Sequence, residues 1–173
     1  MQIAIDDMQG PKVLTPTAFG DDRGYFFESF SEKACPGMHF VQDNVAFSKK
    51  GTIRGLHYQS TPGQAKLVSC LQGTIWDVIV DLRETSETFG KWASIQLDDQ
   101  THNQLFVPIG FAHGYCVLSD KALVQYKVSS FYDPETECSI RYNDPFLKIS
   151  WPEKEPILSL RDQNSPFFSE IFS

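Results

Sequence analysis

From residue 12 to residue 129 the chain alternates short β-prone runs with clusters of glycine, aspartate and lysine, at intervals too short to admit a long helix. The runs are 12–18, 24–30, 40–48, 53–59, 66–71, 74–82, 92–97, 103–108, 111–118 and 122–129. Gly20-Asp21-Asp22-Arg23-Gly24 marks a turn, Lys49-Lys50-Gly51 a hairpin loop, and Gln72-Gly73 a further tight connection. Many short strands at this spacing imply an all-β sandwich or barrel. Helix has support in two places: a turn at 31–34, and a short terminal helix over 165–172 capped by Ser165 or Asn164. The proline-rich stretch 151–156 reads as an extended tail crossing the surface. With no internal repeat, low-complexity tract or linker, residues 1–173 are expected to form a single domain around one core.

Composition excludes several classes. The apolar residues, fourteen Phe among them, come in short runs that fall well below a membrane span. The N-terminus has no basic region followed by an apolar stretch, so a soluble, cytoplasmic protein is the expectation. Cys35, Cys70, Cys116 and Cys138 are far apart, which suits reduced thiols better than a zinc site or disulfide framework. A net charge of −7, with no basic cluster larger than Lys49-Lys50, argues against a nucleic-acid surface. An anionic ligand would have to be held by single cations converging on a pocket, with Arg23, Arg54, Lys66 and Arg161 as candidates.

Three segments carry chemistry. In Ile53-Arg54-Gly55-Leu56-His57-Tyr58-Gln59 an arginine and a histidine lie three apart, and strand alternation puts them on opposite faces unless Gly55 bends or bulges the backbone. A surface arginine beside a core histidine is the bland alternative. In Pro108-Ile109-Gly110-Phe111-Ala112-His113-Gly114 a proline–glycine turn leads His113 into the end of a barrel, with the Pro-x-Gly-x-x-His spacing of the second cupin motif. The companion His-x-His and carboxylate of metal-binding cupins are missing, since Tyr58 and Gln59 follow His57; no bound metal is expected, and His39 and His102 read as solvated loop residues. In 122–128, alternation puts Ala122, Val124, Tyr126 and Val128 on one face, directing the Tyr126 phenol inward. A buried phenol opposite His57 can serve the other end of a proton transfer.

Taken together, Asp22-Arg23-Gly24-x-Phe26-x-Glu28, Gln42-Asp43-Asn44, Arg54-Gly55-Leu56-His57, Gln64-Ala65-Lys66, Pro108-x-Gly110-Phe111-Ala112-His113-Gly114, Tyr126-Lys127 and Asn143-Asp144-Pro145 resemble, in order and spacing, the dTDP-4-dehydrorhamnose 3,5-epimerase family. The resemblance runs from about Pro11 to Pro166. It implies a cupin-like jelly-roll barrel with a short C-terminal helical segment, a homodimer to which the N-terminal strands contribute, and no cofactor. The activity it implies is conversion of dTDP-4-dehydro-6-deoxy-D-glucose to dTDP-4-dehydro-L-rhamnose by proton removal and return at C3 and C5.

By the same resemblance His57 is the base, Asp162 its carboxylate partner, Tyr126 the opposing acid and Lys66 the cation at the enolate oxygen. Arg23 and Arg54 go to the diphosphate; Phe26, Glu28, Gln42, Asp43 and Asn44 to the nucleotide and its surroundings; Tyr132 stacks on thymine; His113, Glu137 and Arg161 take further ligand positions. Asp77, an acid inside an apolar strand, is expected to anchor Lys66 or His113. Arg161 stands where lysine is frequent, and Cys138-Ser139 and Tyr142 replace the usual glycines and tryptophan. The alternatives are a mono-epimerase inverting C3 or C5 alone on a related nucleotide 4-keto-6-deoxysugar, a metal-dependent cupin oxygenase, and a catalytically silent sugar-nucleotide-binding cupin.

Overall fold

The β-prone runs become strands because their apolar residues recur at every second position, and each strand buries that face against a neighbour. The computed structural model describes residues 1–33 and 35–172. Its strands are β1 (Lys12–Leu14), β2 (Phe19–Asp21), β3 (Gly24–Phe26), β4 (Gln42–Lys49), β5 (Ile53–Gln59), β6 (Lys66–Gln72), β7 (Thr74–Asp81), β8 (Trp92–Asp98), β9 (Gln104–Val107), β10 (Phe111–Val117), β11 (Lys121–Val128) and β12 (Glu137–Ser139). They form two five-stranded antiparallel sheets, β1-β9-β6-β11-β4 and β12-β5-β10-β7-β8, while β2 and β3 pair in a separate hairpin. The fold is the expected all-β, cupin-like jelly roll.

The two sheets close on one another through Val68, Cys70, Leu105 and Val124 from the first and Ile75, Ile79, Leu97, Phe111 and Val117 from the second. At about 25 cal/mol per Å² of apolar surface, side chains of this size contribute roughly 1.5–3 kcal/mol each. A second cluster lies on the outer face of the second sheet, where Leu56, Val78, Val80 and Ala112 meet Ile140, Leu147, Ile149 and Phe168. The single expected core is therefore two. The stretch 151–156 runs irregularly over the surface as expected except at its start, where Trp151 joins this cover: it packs edge-on to Trp76 at 5.4 Å and donates its indole N–H to the Tyr142 carbonyl at 2.7 Å.

Other expectations shift locally. The first β-prone run is interrupted after Leu14 and resumes as β2, so the Gly20–Gly24 turn narrows to Asp22-Arg23. The expected turn at 31–34 is present at Glu32 and Lys33, and Ala34 lies outside the described residues. The expected helix over 165–172 shortens to α2 (Phe168–Ile171), and an unanticipated helix, α1 (Leu160–Asn164), precedes it. Ser159 caps α1, and α2 starts after Phe167, whose N–H donates to Glu170 at 2.6 Å; Ser165 and Asn164 end α1 and cap nothing that follows. His102 is not a freely solvated loop residue: its ring lies 4.6 Å from those of both Tyr25 and Phe27, holding the root of the β2–β3 hairpin.

Candidate active site

β5 and β10 build the centre. His57 pairs with His113 and Arg54 with Tyr115, so three steps along β5 are matched by two along β10. The extra residue makes a bulge at Gly55, whose φ of 123° suits glycine. Arg54 and His57 thereby face the same side. A Cβ at Gly55 would lie 2.5 Å from Gly114 Cα, and one at Gly114 2.7 Å from the Arg54 carbonyl, so the two backbones can approach only as glycines.

Between the sheets opens a cavity of about 330 Å³. The first sheet supplies Gln42 and Asn44 from β4, Lys66 from β6 and Tyr126 from β11. The second sheet supplies Arg54 and His57 from β5, His113 and Tyr115 from β10, and Glu137 from β12. Tyr132 stands at the mouth, its backbone N–H donating to Gln42 Oε1 at 3.1 Å. A neighbouring cleft shares Arg54 and His57 and adds Ser159, Arg161 and Asp162.

The histidine is held by a carboxylate, an arrangement that can act as a base. Nε2 of His57 lies 2.6 Å from Asp162 Oδ1, and the other carboxylate oxygen accepts from Ser159 Oγ at 2.9 Å. Burial alone would push the Asp162 carboxyl up, but hydrogen bonds from His57 and Ser159 and the nearby Arg161 charge hold it below 3.8. An ionised carboxylate keeps the ring proton on Nε2, and Nδ1 then carries the free lone pair.

Lys66 is buried, and its ammonium donates to the His57 carbonyl at 3.2 Å. Burial lowers its pKa to about 8, with Glu137 and Asp77 opposing. Asp77 sits directly against His113, whose Nε2 lies 2.9 and 3.0 Å from the two carboxylate oxygens. Of its two expected partners, Asp77 thus binds His113 directly and reaches Lys66 only through charge; burial raises its own pKa. Burial likewise raises the Tyr126 phenol, with Arg54 opposing, so it stays protonated at neutral pH.

Arg54 donates from Nε to Ser48 Oγ at 2.9 Å and from a terminal nitrogen to the Phe47 carbonyl at 3.3 Å. Among the described residues it has no carboxylate partner, which leaves its charge for an incoming anion.

The remaining expected residues divide. Arg161 lines the neighbouring cleft and is ion-paired with Glu137. Asp43 does not face the cavity: alternation along β4 turns it outward, where it pairs with Lys127 at 2.9 Å. Arg23, Phe26 and Glu28 lie on or beside the exposed β2–β3 hairpin, outside this chain's cavity. Arg23 is paired with Asp21, and Glu28 accepts from Ser31. Four contributors were not anticipated: Ser159, which orients Asp162; Tyr115, which alternation from His113 places on the same inward face; and Ala46 and Gln64, which also line the cavity.

The family model for dTDP-4-dehydrorhamnose 3,5-epimerase matches residues 6–170. The dTDP-4-dehydrorhamnose 3,5-epimerase of Pseudomonas aeruginosa is 47% identical over 164 residues, covering 91% of each chain. The crystal structure of dTDP-6-deoxy-D-glucose-3,5-epimerase from Legionella pneumophila in complex with dTDP-4-keto-L-rhamnose is 44% identical, with a TM-score of 0.91 over 95% of this chain and 90% of that one. A 3'-monoepimerase from Streptomyces bikiniensis in complex with dTDP-quinovose is 36% identical, with a TM-score of 0.88 over 92% and 84% of the two chains. Sequence, fold and the contents of the cavity agree, and the chain belongs to the dTDP-4-dehydrorhamnose 3,5-epimerase family.

Proposed function

We propose that the protein is a dTDP-4-dehydrorhamnose 3,5-epimerase, converting dTDP-4-dehydro-6-deoxy-D-glucose to dTDP-4-dehydro-L-rhamnose without a cofactor. The observation that carries this reading is the placement of His57 and Tyr126 on opposite sheets with the cavity between them. Inversion of a carbon beside a ketone needs a base on one ring face and an acid on the other. Nδ1 of His57 takes the C–H proton, the electron pair moves into the C4 carbonyl as an enolate, and Asp162 stabilises the imidazolium. Lys66 offsets the charge growing on the enolate oxygen. Tyr126 returns a proton from the other face, giving the inverted centre; the imidazolium then loses its proton to solvent, the phenolate regains one from solvent, and the step repeats at the second carbon. Arg54 takes the diphosphate, Tyr132 stacks on the base, and Gln42, Asn44, His113, Glu137 and Arg161 hold the ligand.

A homodimer completes this reading. Arg23 has 89% of its side chain exposed and Phe26 is 70% exposed, on a hairpin that stands outside the cavity lined by His57 and Tyr126. The outer face of edge strand β4 exposes Val45 and Phe47. Pairing two copies covers such an edge and allows each hairpin to bring Arg23, Phe26 and Glu28 to the other copy's nucleotide. Light scattering should give twice the chain mass, and a monomer that turns over normally would remove this role for the hairpin.

Proton NMR in deuterated water tests the activity. Deuterium at both C3 and C5, with the product trapped by a reductase, is the expected result. Label at one carbon would make the protein a mono-epimerase, and label at neither would refute the reading.

A further inference from the structure

Tyr115 Oη is, among the described residues, the buried side-chain polar atom with no hydrogen-bond partner. A buried hydroxyl left in this state is costly, and native structures keep few of them. Its ring belongs to the core between the sheets, yet the residue also lines the cavity beside His113. The oxygen exposes less than 1 Å². A substrate atom cannot reach it, so any effect on the reaction must pass through a neighbour.

The neighbours identify the route. Tyr115 is the register partner of Arg54 on the adjacent strand, and cross-strand partners share a face. Burial pushes its phenol up to about 12, with the Ser48 hydroxyl, within hydrogen-bonding reach, and the Arg54 charge both opposing. It is therefore a donor at neutral pH. Ser48, 4% exposed, accepts from Arg54 Nε at 2.9 Å, and a hydroxyl oxygen has room for a second donor.

We propose that Tyr115 is a positioning residue for the anion site: its hydroxyl, set against Ser48 Oγ, backs the seat that holds Arg54 Nε and aims the guanidinium at a diphosphate. This rests on the reading of Arg54 as the diphosphate ligand.

The test is calorimetric titration of wild type, Tyr115→Phe, Ser48→Ala and the double variant with dTDP and, separately, with inorganic pyrophosphate. Tyr115→Phe should weaken both ligands by roughly three- to tenfold, the effect of one lost hydrogen bond, and raise KM more than it lowers kcat. The double variant should bind no more weakly than Ser48→Ala alone, because both changes break one chain of contacts. Unchanged affinity in Tyr115→Phe together with a higher melting temperature would show an unsatisfied core atom and overturn the proposal. Should Tyr115→Phe fail to fold, weakening of both ligands by Ser48→Ala supports the seat and unchanged affinity removes it. Wild type that binds pyrophosphate but not dTDP would refute the nucleotide reading while leaving the seat measurable; binding of neither would refute both.

Discussion

Replacing Lys66 by methionine should make the protein more stable and nearly inactive. The side chain is 7% exposed, and Met fills a similar volume without a charge. The fall in its pKa from 10.5 to about 8 measures how much worse the ammonium fares here than in water, about 3 kcal/mol at 1.36 kcal/mol per decade. Lys66→Met removes that cost but loses the bond to the His57 carbonyl and the attraction to Glu137 and Asp77, so a net gain of about 1–3 kcal/mol is expected at pH 7. The gain must depend on pH with a definite sign. Between pH 8 and 10.5 the unfolded chain holds a proton on this lysine that the folded chain has released, so wild-type stability rises with pH across that window. The advantage of the variant should therefore be full below pH 8 and shrink toward pH 10.5. Urea unfolding of both proteins at pH 7 and pH 10, at one fixed concentration because of the proposed dimer, measures it, and other titrating groups cancel in the difference. Turnover should fall by roughly a hundred- to a thousand-fold, the usual loss on removing a donor at a developing oxyanion. A variant less stable than wild type at pH 7, or an advantage that does not change with pH, would refute the reasoning.

Three further outcomes follow from the geometry. Asp162→Asn should lower kcat by on the order of a hundredfold or more, because an amide cannot stabilise the imidazolium. Since the Asp162 carboxyl lies below 3.8 when folded, wild type should hold stability above about pH 4 and lose it as pH falls through the folded value; acid unfolding should show this limb weakened in the variant. Gly55→Ala, meeting Gly114 Cα at 2.5 Å at a φ of 123°, should cost about 2 kcal/mol or more by thermal unfolding and depress turnover by parting Arg54 from His57. Tyr126→Phe should leave proton abstraction by His57 intact and remove the return from the far side: NMR should show solvent deuterium entering the substrate faster than product forms.

Where a strand alternates, the sequence already placed its side chains. Ala122, Val124 and Val128 are buried as expected, and Tyr126 packs with them on the inward face. The bulge was legible too, because only a break at Gly55 brings Arg54 and His57 together. The same rule, applied to Gln42-Asp43-Asn44, would have sent Asp43 outward; reading the three as one motif hid this. Other elements leave no periodic trace. β12 has three residues, and α1 is a five-residue helix held by Ser159 and by the pull of His57 on Asp162. Ile140, Leu147, Ile149 and Phe168 are spaced too irregularly to announce a face, so the outer cover of the second sheet left no pattern to read.

These irregular parts matter because the regular barrel cannot make the site alone. Alternation delivers Tyr126 and His57 to opposite walls, but an imidazole on a wall is only a weak base with two interchangeable nitrogens. The C-terminal segment crosses back over β5, bringing Asp162 to Nε2 and so assigning Nδ1 to the chemistry. Arg54 depends on the bulge in the same way, since without the extra residue at Gly55 either the cation or the base would turn to the outer core. In the proposed reaction the sheets set the two faces, and the departures from regular structure determine which atoms act on them.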